Sequence, residues 1–321
     1  MISIVVVGAR GYTGAELLPL LYRHPEFEIV AVGSASAAGQ PVSAHVSGLE
    51  GSDLVFSDIR PGSLGKYGSD ACVLALPNGK AAGFVKALDD RKPDTVVVDL
   101  SADHRFDPGW AYGQPERFGD EVIGATRIAN PGCYATAAQL ALAPLLDLLV
   151  GTPAAFGVSG YSGAGKTPSR KNDADVLKDN LLPYSLVDHL HEREVSHHIG
   201  REIRFLPHVA SFFRGISLTV AAEVGQVLTE TELLARYREF YSGFPLVEVR
   251  ATVPEVKQVR GSHRIVLGGF SVSEKNPSQI SIVAVLDNLL KGAATQAVQN
   301  LNLAFGLDAM TGLDIRFGRK A

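Results

Sequence analysis

The N-terminal segment combines a strand pattern, a glycine-rich loop and a helix pattern, in that order. Residues 2–7 form an apolar, β-branched run, which is typical of a strand buried on both faces of a parallel sheet. The loop Gly8-Ala9-Arg10-Gly11-Tyr12-Thr13-Gly14 follows, and residues 14–23 place leucines on one face of a predicted helix. Glycines let the backbone approach a ligand closely, and a helix N-terminus offers N–H groups to a pyrophosphate. The segment therefore favours a dinucleotide-binding unit over a plain strand-to-helix turn, although its G-x-x-G-x-x-G spacing differs from the usual G-x-G-x-x-G.

Strand and helix patterns continue to alternate through the first hundred residues. Strands are predicted at 28–32, 72–76 and 95–100, and a helix at 80–88. Alternation of this kind implies right-handed crossovers. We therefore predict an α/β fold with a Rossmann-type, doubly wound parallel sheet.

The pattern changes after residue 134. A helix is predicted at 135–149 and another at 289–307, and between them lie five strand patterns typical of a mixed or antiparallel sheet, at 205–206, 216–224, 246–253, 265–272 and 280–286. We predict that residues 1–133 and 287–321 form a nucleotide-binding domain. Residues 134–286 would form an inserted α+β domain for catalysis, substrate binding and oligomerisation.

Composition excludes several classes of protein. Lys+Arg 30 against Asp+Glu 34 gives a net charge of −4, which argues against a nucleic-acid-binding surface. Two cysteines cannot build a disulfide framework and favour a reducing compartment. The first residues show no basic n-region or cleavage site, so we expect no signal peptide, and the apolar stretch at 140–150 is too short to span a bilayer. We therefore expect a cytoplasmic protein with neither a nucleic-acid nor a membrane partner.

The end of the second predicted strand indicates which dinucleotide binds. An NAD site places an acidic residue there to hold the ribose hydroxyls. Glu28 lies at the beginning of that strand instead, whereas the end carries Ser34 and Ser36 and faces the loop that contains Arg10. Hydroxyl groups and an arginine suit a 2′-phosphate, so we predict NADP(H) as the cofactor.

The two cysteines have different contexts. Cys133 follows Asn130-Pro131-Gly132 directly before a predicted helix, where the helix dipole and the N–H groups stabilise a thiolate. We therefore predict that Cys133 is a nucleophile, with a small structural residue as the alternative. Cys72 lies inside a strand pattern and is interpreted as core filling.

Residues 160–167, Gly160-Tyr161-Ser162-Gly163-Ala164-Gly165-Lys166-Thr167, match the P-loop expression G-x-x-x-x-G-K-[ST] in full. The polar residues that follow, Pro168 to Asp175, offer no apolar face for a P-loop helix. ATP chemistry is therefore disfavoured, although Ser162 and Lys166 could bind a phosphate of the substrate or the cofactor.

The histidines lack a convincing metal pattern. Zinc would need three or four convergent ligands, and we interpret His189, His191, His197 and His198 as solvated residues of a polar helix. No metal site is predicted. His208 differs because it ends a short apolar segment just before Arg214, so it could act as an acid–base partner of Cys133, with a structural role equally open.

Eight motifs, taken together, resemble N-acetyl-gamma-glutamyl-phosphate reductases of arginine biosynthesis, in their shorter bacterial form. The matching stretches are Gly8 to Leu17, Leu76-Pro77-Asn78-Gly79, Asp99 to Asp103 with Arg105, Tyr112-Gly113 with Pro115-Glu116, Asn130 to Thr136, Ser159 to Gly165, Pro207-His208 with Arg214-Gly215, and Asp287 to Ala294. They run in order from residue 8 almost to the end of the chain.

The resemblance implies an NADPH-dependent reduction of an acyl phosphate through a cysteine thioester. Cys133 would be the nucleophile and His208 the acid–base group. Together with the end of the second strand, it gives the predicted cofactor-binding positions, which are Gly8, Arg10, Gly11, Tyr12, Thr13, Gly14, Ser34, Ser36, Leu76, Pro77, Asn78, Ser162, Gly163 and Asn288. The residues that it suggests for the substrate are Ser101, Arg105 and Arg214.

The resemblance also implies a small-molecule acyl phosphate as substrate. We expect a homo-oligomer, a dimer or a tetramer, because the mixed sheet of the second domain offers a surface for association. His104, Lys166 and the Ser211-Phe212-Phe213 segment depart from the family pattern at expected walls of the substrate site. Reduction of aspartyl or aminoadipyl phosphate therefore stays open as an alternative. A regulator that binds NADP without catalysis is the alternative from another class.

Overall fold

The structure, a computed structural model, describes residues 1–314. Residues 315–321, which we assigned to the nucleotide-binding domain, lie outside the described part. Within it, the helices are α1 (Tyr12–Tyr22), α2 (Ala82–Arg91), α3 (Pro115–Val122), α4 (Cys133–Leu142), α5 (Ala174–Leu177), α6 (Leu190–Ile199), α7 (Glu230–Phe240) and α8 (Thr295–Ala304). None of these helices within residues 1–314 has the length and apolar composition that a membrane crossing needs.

Fourteen strands of the described residues form two sheets. The first sheet contains β1 (Ile2–Val7), β2 (Phe27–Gly33), β3 (Phe56–Ser57), β4 (Ala71–Leu74), β5 (Val96–Asp99), β6 (Ala111–Tyr112) and β7 (Arg127–Ala129). The second contains β8 (Leu149–Gly160), β9 (Leu181–Pro183), β10 (Arg204–Ala210), β11 (Ile216–Val224), β12 (Val247–Val249), β13 (Ile265–Val272) and β14 (Gln279–Leu286).

Residues Met1–Gly132 and Ala293–Asp314 form one compact unit around the first sheet. Its strands lie in the order β3-β2-β1-β4-β5-β7-β6, and neighbouring strands are parallel. The chain therefore proceeds from β1 first to one side and then to the other. Open α/β sheets bind ligands at the carboxyl edge where the strand order reverses, here between β1 and β4. The predicted Rossmann-type sheet is confirmed.

The core of this unit is formed by apolar strands that are covered by helices. Residues 4–7 of β1 are almost fully buried, as the continuous apolar run predicts. α8 packs against α1, α3 and β5 in the same unit.

Residues Cys133–Gly292 form the second unit, around a mixed sheet. The strand order is β12-β13-β14-β11-β8-β10-β9, with β8 parallel to β10 and antiparallel to β11. α4 packs on β11 and β14, and its buried residues join those strands and α7 in one apolar cluster. The opposite face of the sheet carries exposed apolar side chains, among them Val150 and Phe156.

Several elements predicted from residue 135 onward are wrong in extent. The helix predicted at 135–149 ends at Leu142, because Pro144 lies in a short 3₁₀ turn, Ala143–Leu145, and Leu149 already belongs to β8. β8 was not predicted, since its glycines and proline are weak strand formers, yet it pairs with β10 and β11. The predicted 289–307 helix begins as a π turn at Leu290–Ala294 before α8.

Candidate active site

The glycine loop joins β1 to α1 at the carboxyl edge of the first sheet. Gly8 has φ +82°, in the left-handed region that favours glycine, and Gly11 occupies the N-cap position of α1. The N–H groups of Gly8 and Ala9 donate to the Gly33 carbonyl at 3.0 and 3.1 Å, so the loop lies against the end of β2. Because Gly11 carries no capping side chain, the first-turn N–H groups of α1 can bind an anion.

Arg10, Ser34 and Ser36 lie on the two segments that these hydrogen bonds join. Arg10 is exposed in the glycine loop, and Ser34 and Ser36 follow the end of β2, the first buried and the second exposed. Glu28 lies near the amino end of β2, at the other edge of the sheet. Hydroxyl groups and an arginine, rather than a carboxylate, therefore lie at this end of β2.

The loop Leu76-Pro77-Asn78-Gly79 adjoins the glycine loop. A Cβ atom added to Gly8 would lie 2.8 Å from the carbonyl carbon of Ala75, so the two segments are in close contact. Asn78 Oδ1 accepts a hydrogen bond from the Ala102 N–H at 3.0 Å. The loops that follow β1, β4 and β5 therefore meet at the carboxyl edge of the first sheet.

Ser101 and Arg105, which we predicted to bind substrate, make internal contacts in the first unit. The Ser101 hydroxyl donates to the Asp99 carboxylate at 2.7 Å. The buried Arg105 donates from Nε to the Asn130 carbonyl at 2.9 Å and from Nη2 to the Leu100 carbonyl at 3.1 Å. Both side chains thus brace the carboxyl ends of strands, and their contact with the substrate stays a prediction.

Cys133 is the first residue of α4 and lines a cavity of about 190 Å³ within the second unit. We call this space the thiol cavity. Its polar and aromatic lining comprises Cys133, Tyr134, Ser159, Lys171, Tyr184, His189 and His191. The end of β8 and the glycine-rich segment after it supply another part of the wall through Gly160, Gly163 and Ala164.

Two tyrosines of the thiol cavity stay protonated. Burial raises the pKa of Tyr184, and the charge of a Cys133 thiolate raises it further. The pKa of Tyr134 is raised mainly by burial, with smaller contributions from Tyr184 and Cys133. Both phenols therefore surround the sulfur as neutral groups, and the Tyr134 hydroxyl donates to the backbone carbonyl of His208 at 2.7 Å.

His189 and His191 enter the thiol cavity from the start of α6. His189 is the N-cap residue, and its Nδ1 accepts a hydrogen bond from the His191 N–H at 3.0 Å. Burial, followed by the charge of Lys171, lowers the pKa of His189 to about 4. Glu194 on the same helix is fully buried. The prediction of a solvated polar helix is therefore wrong for its first turns, although within residues 1–314 no group of His, Cys, Asp and Glu side chains could hold a metal ion.

His208 lies on the other face of the second sheet. Side chains alternate along β10, so Phe205 and Val209 point toward α4 and α6 while His208 points away from them. Val209 lines the thiol cavity, whereas the His208 ring packs on Phe156, with ring centroids 4.5 Å apart. His208 therefore does not line the thiol cavity that contains Cys133. Its acid–base role stays a prediction, which the alternation along β10 does not favour.

Arg214 also has an internal partner. Its guanidinium forms a bidentate ion pair with the buried Asp287, at 2.6 Å from Nε and 3.0 Å from Nη2. The neighbouring Asn288 accepts a hydrogen bond from the Gly215 N–H at 2.7 Å and donates to Ser162 Oγ at 3.0 Å. The structure thus brings the predicted cofactor residues Ser162 and Asn288 together. Arg214 is held by its ion pair with Asp287, and its contact with the substrate stays a prediction.

Cys72 agrees with its interpretation as core filling. It lies inside β4, has no exposed surface, and burial raises the pKa of its thiol to about 12.

Comparison with known proteins identifies the family. A semialdehyde dehydrogenase NAD binding domain matches residues 3–125, and a semialdehyde dehydrogenase dimerisation domain matches residues 133–288. A protein named N-acetyl-gamma-glutamyl-phosphate reductase from Xanthomonas campestris pv. campestris (strain B100) is 50% identical over 311 residues, which cover 97% of this chain and 98% of that protein. A protein of the same name from Xylella fastidiosa (strain M23) is 51% identical, with coverage of 97% and 94%. The chain belongs to the N-acetyl-gamma-glutamyl-phosphate reductase family.

Solved structures agree with this assignment at the level of the fold. Aspartate semialdehyde dehydrogenase II from Vibrio cholerae, complexed with ASA, has a TM-score of 0.76 at 17% identity and covers 95% of this chain and 98% of its own. Aspartate semialdehyde dehydrogenase with NADP from Candida albicans has a TM-score of 0.72 at 15% identity, with coverage of 95% and 99%.

Membership of this reductase family confirms the predicted resemblance and the prediction of an NAD(P)-dependent oxidoreductase. The roles of individual residues stay predictions. Sequence reasoning missed His189 and His191 as residues near the thiol, and it missed Lys171 and Tyr184. The spacing of the two histidines across one helix start was visible, but only the packing of α6 beside α4 shows that they face Cys133.

Proposed function

We propose that this chain reduces N-acetyl-L-glutamyl 5-phosphate to N-acetyl-L-glutamate 5-semialdehyde and phosphate with NADPH, as a step of arginine biosynthesis. The observation that carries the proposal is the thiol cavity, in which Cys133 at the start of α4 shares a small space with two imidazoles and two neutral phenols. Such a site suits covalent catalysis on an acyl group. The name shared by the relatives at 50–51% identity supports the substrate.

The reaction would proceed through a thioester. The Cys133 thiol gives its proton to an imidazole, and the thiolate attacks the acyl carbon of the acyl phosphate. The C–O bond to phosphate breaks, inorganic phosphate leaves and a thioester remains on Cys133. Hydride addition gives a thiohemiacetal oxyanion, whose collapse breaks the C–S bond and releases the aldehyde with regeneration of the thiolate.

His191 replaces His208 as the proposed acid–base group. Both His189 and His191 line the thiol cavity, but Nδ1 of His189 is engaged as the helix cap. A pKa near 4 also keeps His189 neutral at neutral pH and makes it a weak base. We assign proton transfer to His191 and assign to His189 the positioning of the first turn of α6.

The glycine loop is the proposed pyrophosphate site, with Tyr12 and Thr13 in the first turn of α1. Its backbone fits a dinucleotide, because Gly11 adds no side chain and the nearest atom to a Cβ placed there is the Gly8 carbonyl oxygen at 3.7 Å. Arg10, Ser34 and Ser36 would hold the 2′-phosphate, which favours NADP(H) over NAD(H). Leu76, Pro77 and Asn78 in the first unit, and Ser162, Gly163 and Asn288 in the second, stay proposed contacts of the cofactor. When bound, the nicotinamide supplies the hydride that reduces the thioester.

The open face of the second sheet is the proposed contact between copies of the chain. It exposes Val150 and Phe156 and forms a concave surface of about 550 Å³ along β8, β11, β13 and β14. The lining of this concave surface is part polar and part apolar, and the exposed Val150 and Phe156 favour association. The match to a dimerisation domain supports a homo-oligomer. Sedimentation of the Phe156→Glu variant tests this assignment, since an unchanged molecular mass would contradict it.

The reverse reaction tests the proposed function most directly. We expect phosphate-dependent reduction of NADP⁺ with N-acetylglutamate 5-semialdehyde, and loss of that activity in Cys133→Ser. Cys72→Ala is the matched control and should keep the activity. If aspartate semialdehyde or aminoadipate semialdehyde supports turnover and the acetylated glutamate compound does not, the proposed substrate is wrong. Unchanged activity in Cys133→Ser would contradict the thioester mechanism.

A further inference from the structure

The substrate of the proposed function carries oxyanions at both ends, a phosphate on the reacting acyl group and a carboxylate. Such a ligand requires a cation near the thiol. The two arginines that the sequence suggested are engaged elsewhere, Arg105 with backbone carbonyls and Arg214 with Asp287. Lys171, which no motif marked, lines the thiol cavity together with Cys133.

The segment that carries Lys171 is held in a defined position. Lys171 is the middle residue of a short 3₁₀ turn, Arg170–Asn172, which is closed by a capping box between Ser169 and Asn172. The Asn172 side-chain amide donates to the carbonyls of Gly165 and Thr167, both at 2.8 Å. These bonds attach the turn to the glycine-rich segment that also lines the cavity.

The Lys171 ammonium lies over an aromatic ring of the cavity wall. Its Nζ is 4.7 Å from the ring centroid of Tyr184, which itself faces the cavity. A cation–π contact orients the ammonium but leaves its full charge, so the group can still pair with an oxyanion. The charge reaches the cavity interior, because Lys171 contributes to the lowered pKa of His189.

We propose that Lys171, held on the face of Tyr184, is the cation of the thiol cavity that binds a substrate oxyanion. The inference rests on the proposed function and names a substrate-binding residue for it. Two groups of the substrate could pair with Lys171, the phosphate and the carboxylate, and both are oxyanions.

Steady-state kinetics of the reverse reaction test the proposal and separate the two oxyanions, because inorganic phosphate and the semialdehyde are varied independently. In Lys171→Met we expect one of the two KM values to rise about 10- to 100-fold, the range that corresponds to the loss of one charge-assisted hydrogen bond. The kcat should change less than that KM. Lys171→Arg should recover most of the affinity because the charge is kept. Lys178→Met is the matched control, since Lys178 is exposed on the same segment and does not line the cavity.

A rise in the KM for phosphate assigns Lys171 to the phosphate, and a rise in the KM for the semialdehyde assigns it to the carboxylate. Unchanged values for both overturn the proposal. A loss of kcat at constant KM that Lys171→Arg does not restore also overturns it, because the side chain would then act structurally.

Alkylation of Cys133 by iodoacetamide provides a readout that needs no turnover. Inorganic phosphate or N-acetylglutamate should slow alkylation of the native protein, and the protective ligand should lose its effect in Lys171→Met. Equal protection of the native protein and Lys171→Met, or no protection of either, overturns the proposal. Native protein that is protected but inactive with N-acetylglutamate 5-semialdehyde would overturn the proposed function and leave the oxyanion site standing.

Discussion

Two glycine-rich loops of this chain follow sheet strands. By its match to a sequence motif, the second loop would be the better phosphate site, whereas the structures favour the first. The loop at Gly8 departs from the usual dinucleotide spacing, yet it leads directly from β1 into the eleven-residue helix α1. The segment at Gly160 matches the P-loop expression in full, yet it continues as a 3₁₀ turn at Tyr161–Ala164. The next α-helix after that turn, α5, is four residues long and begins only at Ala174.

The difference shows that the secondary structure after a glycine loop determines whether the loop can bind phosphate. The match of the loop to a sequence motif matters less. Phosphate binding at such loops depends on the N–H groups of a following helix start and on the helix dipole. The loop at Gly8 has that helix. The segment at Gly160 lacks it and instead uses its small residues as a wall of the thiol cavity. ATP chemistry at Gly160 therefore has no structural basis within residues 1–314.

The strongest test of the loop at Gly8 is Gly14→Ala. A Cβ atom at Gly14 would lie 2.6 Å from both the carbonyl carbon and the Cα of Ala9, so the backbone itself must move. We expect a loss of about 3 kcal/mol in the free energy of unfolding, despite the higher helix propensity of alanine. NADPH affinity should fall as well, because α1 and the loop shift together. Urea unfolding and fluorescence titration measure the two effects, and wild-type stability would show that the close packing at Gly14 is not required.

The second loop has its own glycine requirement, at Gly165. Its backbone has φ +75° and ψ −171°, a region that is essentially restricted to glycine. We expect Gly165→Ala to destabilise the protein by about 2 kcal/mol, although a Cβ there would have no atom within 4 Å. NADPH affinity should fall less than in Gly14→Ala, because the second loop offers the cofactor only Ser162 and Gly163 and not the proposed pyrophosphate site. A loss of NADPH affinity as large as that of Gly14→Ala would contradict the separation of the two loops.

The thiol cavity behind the second loop contributes a pH dependence to stability. The pKa of His189 is lowered to about 4, so the unfolded chain binds more protons than the folded chain between about pH 6.5 and 4. Stability should therefore fall as the pH decreases through this range, by about 1 to 2 kcal/mol because the ring keeps some contact with water. Thermal unfolding of His189→Asn, which preserves an N-cap side chain, should show a flatter profile. An unaltered profile would assign the dependence to other groups.

The first unit was predictable because its determinants are local. An apolar run such as residues 4–7, a glycine loop and a leucine-faced helix suffice to indicate a parallel strand, a turn and its crossover. The second unit was less predictable, because β8 contains Gly151, Pro153 and Gly157 and is stabilised by its pairing with strands distant in sequence. Tertiary pairing overrides weak local propensity in such a strand.

The residues of the candidate site also differ in how far the sequence could predict them. Cys133 was predictable from the turn before its helix, since that signal is local. Its partners were not, because the choice between His191 and His208 depends on which face of the second sheet each residue occupies. A shift of a strand by one residue moves each of its side chains to the other face of the sheet. A sequence motif does not specify that register.

Gly11→Ala tests whether the loop at Gly8 binds the cofactor, separately from its role in stability. Its expected effect on stability is the smallest of these variants. A Cβ at this N-cap position would meet its nearest neighbour, the Gly8 carbonyl oxygen, at 3.7 Å, which is an ordinary contact. Alanine is a poorer N-cap than glycine, so the free energy of unfolding should fall by about 0.5 to 1 kcal/mol. The methyl group would nevertheless stand where a pyrophosphate approaches the start of α1, and we expect NADPH affinity to fall about tenfold. Calorimetry of NADPH binding beside thermal unfolding separates the two quantities. Tight binding at wild-type stability would mean that the pyrophosphate does not lie on this helix start, and the loop at Gly8 would then resemble the segment at Gly160 in being a structural turn.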